Sequence, residues 1–288
     1  ICIFIAMKFK VLFFVLIVGF ISSNCFYSQI VWNGAVDNDW STGGNWVGGV
    51  VPGAGDDVVI GSGTPEVNVN SAADNLTING GTLTINFNIL LDIEGDFLLN
   101  ATGILSMSQA STFDVAGNWD DSPSASGFVP TQGTVILSGD INKNISCNSN
   151  NNFRSLTITN SGGTANDRIA LTNIKITRDF KILNTAGLKI GARTIDVTSF
   201  SRELDVGAGA FIRLDDANSI LNCNSSMDCS GTIIFTANAN LNLNGATNTI
   251  TTLTTGGFGT ITYASTLAQG IAAPTGAYNN LILDQNST

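Results

Sequence analysis

The 288-residue chain contains no histidine, only five prolines, and charged side chains at only 12% of its positions. Without histidine there is no Ser-His-Asp type relay, unless an unusual base stands in, and scattered thiols alone make no zinc set. Lysine and arginine are missing altogether from Gln29 to Asn142, where thirteen acidic residues fall, and the formal net charge is −10. Nucleic acid and anionic membranes draw their partners through clustered cations, so both are excluded as partners. Helical patterning is absent beyond the first 28 residues. No amphipathic stretch of 10–15 residues separates the strand-like runs, which excludes an alternating βαβ fold. No glycine-rich loop follows a strand and opens a helix, so nucleotide binding has no support.

What is present begins with a leader. Met7 is followed by Lys8, Lys10 and the apolar run "VLFFVLIVGFI", about the length of a signal-peptide core and short for a bilayer span. Residues 1–28 are therefore read as upstream sequence plus a signal peptide; a membrane anchor, or lipidation at Cys25, is the alternative. Five cysteines occur, but Cys2 and Cys25 lie in this leader. Of the remaining three, Cys223 and Cys229 flank a short loop that a disulfide could close in an exported chain, the bland alternative being small buried core residues.

The apolar fraction of 43% is enough for a continuous core and argues against disorder. Short runs such as "GTLTIN", "GTVILSG", "SLTITN", "TIDVTSF", "GTIIFTA" and "NLNLNG" alternate apolar residues with Thr or Asn and end in Gly, Asn, Asp or Ser turns. Each reads as a half-buried strand. The sequence also repeats itself. "GTVILSGDINKNISCNSNNNFRSLTITNS" from Gly133 lies over "GTITYASTLAQGIAAPTGAYNNLILDQNS" from Gly259 with one deletion, and "IEGDFLLNATGIL" from Ile93 matches "ITRDFKILNTAGLK" from Ile176 with one insertion. Repeats built of short strands without helices point to a β-solenoid of roughly 20–28 residues per coil and about ten coils, with tandem β-sandwich domains as the alternative. In "SLTITN", Leu156 and Ile158 would point inward, and Thr157 and Thr159 outward.

Three of the four tryptophans, Trp32, Trp40 and Trp46, fall within fifteen positions. They form either a ligand platform or a lid over the exposed core of the first coil, and the need to close a solenoid end favours the lid. The expected organisation is a leader at 1–28, a capping segment at 29–62 and solenoid repeats over 63–288, ending inside a repeat. Acid pairs at Asp120–Asp121 and at Asp215–Asp216, beside Arg213, are the candidates for carbohydrate chemistry, but neighbours on a strand face opposite sides, so solvated turns are the plainer reading. Oxygen ligands in "DNDWSTGGN" and "GAGDDV" suit Ca²⁺ chemically yet match no EF-hand spacing; no cofactor is otherwise indicated.

The pattern Trp32-x-Gly34, Trp40, Asn45-Trp46, Gly49, Pro52 and Asp56-Asp57-Val58, followed by "GTV…I…F..LTI.NS" units, resembles large repeat-rich exported surface proteins of Bacteroidota. The resemblance implies an all-β, right-handed parallel β-helix, secretion of the type IX kind, and an exterior, outer-membrane location. It further implies a structural or adhesin-like role without catalysis, with extracellular glycans or other surface proteins as partners. Carbohydrate binding or polysaccharide degradation is the alternative, since parallel β-helices also carry those activities. The C-terminal sorting domain of that group has no counterpart here, so the chain reads as an N-terminal fragment.

Overall fold

A computed structural model describes residues 29–124, 127, 128, 130, 132–140, 142–160, 166–199, 203–265 and 269–284. The leader and the last four residues lie outside the described residues. The chain is an all-β solenoid of about ten coils in which the ladders between strands are parallel. One three-residue 3-10 turn, Gly43–Asn45, is the only helical element among the described residues.

Each coil contributes to three ladders in turn. The first starts at Gln29–Val31 and Asp57–Ile60, passes through Leu76, Phe97, Trp119 and Ile145, and reaches Leu253. The second runs from Glu66–Val67 to Asn280–Leu283. The third runs from Ser71–Ala73 through Thr134–Leu137 and Glu203–Val206 to Ile250. Successive partners are 18 residues apart from Val58 to Leu76 and 26 apart from Trp119 to Ile145, so coil length varies while the ladder does not break. The strands Gln29–Val31 and Asp57–Ile60 already belong to the first ladder, and the segment 29–62 and the later coils form one stack.

Alternation makes this possible. The strands Thr112–Val115, Thr134–Leu137, Thr194–Val197 and Asn240–Leu243 each bury every second residue. Leu156 and Ile158 point inward as expected, with Thr157 between them half-buried. Identical inward rows stack at about 4.8 Å and fuse into one apolar column from Ile30 to Tyr263.

The column thickens where pairing thins. On the second face only isolated bridges, Leu105 to Phe128 and Phe153 to Ile176, span the middle of the stack. There the core is filled by Phe97, Phe113, Trp119, Phe128 and Phe153, with neighbouring ring centroids 4.7–5.9 Å apart. Large edge-to-face rings supply contact area that the missing strands do not.

The repeats seen in sequence correspond to whole coils but start on different faces. The Gly-Thr-aliphatic start lies on the third ladder at Thr134, on the first at Thr232 and on the second at Thr260.

Candidate functional site

The tryptophan segment folds back on the first coil. Trp32 donates its main-chain N–H to Val59 O at 3.0 Å, and Trp40 donates its own to Glu66 O at 2.9 Å, so the loop extends two ladders by one step. Asn45, fully buried, organises it: its side-chain oxygen accepts the N–H groups of Val36 and Asp37, both at 2.9 Å, and its amide donates to Asp37 and to Asp39 O. Trp46 stands edge-on between the other two indoles, with centroids 5.0 Å from Trp32 and 4.7 Å from Trp40. All three rings are at most 5% exposed. A sugar platform needs open ring faces, and this arrangement leaves none.

The Asp37–Asn45 and Gly53–Val58 turns use their carboxylates internally. Asp37 accepts the Asp39 N–H, Asp39 accepts both the N–H and the hydroxyl of Ser41, and Asp56 accepts the Gly53 N–H. Asn45 holds the Asp37 carboxyl below its ordinary range. Among the described residues no three His, Cys, Asp or Glu side chains come together in a way that could hold a metal ion.

The expected Cys223–Cys229 disulfide does not form. Both thiols are free and buried, Cys223 stacked between Val197 and Leu243 on the second ladder and Cys229 between Val206 and Ile250 on the third. The chain turns a corner between them, and each sulfur occupies an inward core position on its own face. Burial pushes their pKa values up to about 11 and about 12, and buried Cys147 is raised as well.

Neither acid pair converges. Asp215 meets Lys189 at 3.0 Å and accepts the Gly191 N–H, whereas Asp216 accepts the Asn218 N–H in its own turn. Arg213 turns away from both, toward Asp167 and the Phe211 ring. Asp120 accepts from Ser122, while Asp121 is fully buried and accepts the Asn148 N–H at 2.8 Å. Burial raises the Asp121 pKa to about 6, against the opposing pull of that hydrogen bond.

Residues 31–115 are similar to a domain of unknown function (DUF8693). No curated protein and no solved structure matches the chain. The DUF8693-like stretch takes in the tryptophan cap and the coils down to Thr112–Val115.

A feature that sequence reasoning missed begins inside the DUF8693-like stretch and continues beyond it. Arg168 is 4% exposed and occupies an inward position, in register with Leu188. Its guanidinium donates to the carbonyls of Val115, Ala116, Gly117 and Ser138, which belong to the corners of two preceding coils. Burial lowers its pKa to about 10, an effect that the charges of Asp114 and Asp96 oppose. Outside this clamp the corner opens into a groove of about 520 Å³ whose walls carry Glu94, Asp140, Lys143, Asn160 and Asn184. Gly139 lies in its floor at φ +91°, where a Cβ would stand 2.3 Å from Ala116 O. The sequence signal was faint: in "NDRIA" the eye takes Ile169 as inward, but the register turns Arg168 and Ala170 in.

Proposed function

We propose that the chain is a non-catalytic structural and adhesive module of an exported cell-surface protein, acting as a rigid β-solenoid rod that spaces and presents other surfaces. The observation that carries this reading is the unbroken apolar column from Ile30 to Tyr263 under parallel ladders, closed at its first coil by three buried tryptophans. A stack joined at every coil by backbone hydrogen bonds resists bending, and a terminal lid keeps its first strands from pairing with other chains. The diverging carboxylates of Asp215 and Asp216 support a role without glycoside chemistry, which needs two acids aimed at one bond.

Export follows from the leader at residues 1–28 together with the resemblance to Bacteroidota surface proteins. Antibody labelling and protease shaving of intact producing cells test it. Labelling before lysis, with loss of the epitope on shaving, is the expected result; labelling only after lysis contradicts it.

A further inference from the structure

The groove beside the third ladder runs along the rod rather than around it. Its lining residues follow the third-ladder strands Leu90–Ile93, Thr112–Val115, Thr134–Leu137, Leu156–Ile158 and Phe180–Ile182, one coil after another. The corners are tied in sequence by Ala116 N–H to Ile93 O, Ser138 N–H to Val115 O, Thr159 N–H to Leu137 O and Leu183 N–H to Ile158 O. Five coils at about 4.8 Å give a trough roughly 19 Å long, the shape of a site for an extended polymer.

Its chemistry narrows the polymer. The walls offer two carboxylates, Glu94 and Asp140, one ammonium, Lys143, and the amides of Asn160 and Asn184, with no aromatic side chain. Carboxylates outnumber the cation, so a polyanion is repelled. A bound peptide strand would want free backbone groups and alternating apolar pockets, whereas these corner N–H groups are already paired between coils. Hydroxyl groups, which both donate and accept, are what such walls can satisfy.

A second observation points the same way. Asn160 is 5% exposed, yet its side-chain nitrogen has no hydrogen-bond partner, although its oxygen accepts from Thr185 at 2.8 Å. A buried amide donor left without an acceptor costs about 1–3 kcal/mol, which a ligand oxygen would relieve. The floor beneath is held by the Arg168 clamp, so little ordering is required on binding.

We infer that this groove binds an extended, neutral polysaccharide chain. The inference gives the adhesive part of the proposed function a ligand class and rests on that part alone; the rod and its export stand or fall on other measurements.

Affinity electrophoresis of the mature chain in gels containing glucomannan, mixed-linkage β-glucan or dextran, with polygalacturonate as the acidic comparison, tests it. Retardation by at least one neutral polymer is expected, weakened about tenfold in Glu94→Ala/Asn184→Ala. Lys175→Ala, on the second face, should bind as the parent does. Glu94→Gln, which keeps the shape of the wall, should show the same direction of change and covers the case in which the double variant fails to fold. Migration unaffected by all three neutral polymers, equal retardation of parent and Glu94→Gln/Asn184→Ala, or retention by polygalacturonate alone would each overturn the inference.

Discussion

The indole N–H of Trp46 donates to the main-chain carbonyl of Trp40 at 2.7 Å, inside a stack where both rings are buried. One bond thus joins the two ends of the loop that closes the first coil. Trp46→Phe keeps most of the ring but strands that carbonyl, and should cost about 2 kcal/mol of stability. Trp40→Ala removes a buried ring and should cost about 4 kcal/mol. Because coils of a stack interact chiefly with their neighbours, hydrogen exchange in Trp40→Ala should accelerate first around Val58 and Leu76, while Leu241 and Ile261 stay protected. Uniform acceleration along the chain would contradict a local lid.

Asp121 predicts a pH dependence of known sign. Its folded pKa, about 6, lies above the ordinary value of 3.8, so the folded chain holds a proton that the unfolded chain releases. This stabilisation is complete below about pH 3.8 and is lost as pH rises through 6. Asp121→Asn should therefore gain on the parent between pH 4 and pH 7, by on the order of 2 kcal/mol. Thermal melts of both proteins across that range check it, and parallel curves would refute the assignment.

Cys147, Cys223 and Cys229 are buried and free, with their thiols held in the neutral form. A maleimide should label them only after unfolding, and a reductant should leave the melting temperature unchanged. Three slow, denaturant-dependent additions by mass spectrometry are the expected reading; two protected sulfurs that a reductant releases would restore the disulfide.

Arg168→Lys tests the clamp under the groove. Lysine keeps the charge but cannot reach four carbonyls across two coil corners with one fixed fork. A loss of about 3 kcal/mol is expected, with Arg168→Met no better because the carbonyls remain unsatisfied. A neutral result for both would mean that the corner relaxes without the guanidinium.

The fold was legible because period-two alternation and turn residues state directly which side chains go in. Leu156, Ile158 and their kind needed no tertiary information. Coil length was legible too, since the copies from Gly133 and Gly259 each span one coil. Which face a copy starts on was not, because a Gly-Thr-aliphatic start suits any of the three, as Thr134, Thr232 and Thr260 demonstrate. The Cys223–Cys229 bridge failed for the same reason: spacing along the chain does not say that a corner separates the two sulfurs. Arg168 escaped notice because a buried guanidinium is satisfied by carbonyls from coils some 30 and 50 residues earlier, a relation that no local pattern encodes. The groove is built from five such corners and could emerge only from their stacking.

The central claim is one rigid stack, and a single distance addresses it. Ala72 and Thr249 lie in the third ladder, linked through Asp92, Asp114, Ile136, Thr157, Lys181, Asp205 and Asp228. Eight steps at about 4.8 Å place them about 38 Å apart. Spin labels on Ala72→Cys and Thr249→Cys, with the native thiols buried and unlabelled, should give one narrow distribution centred near 38 Å. A mean below about 25 Å, or a broad distribution, would contradict the rod.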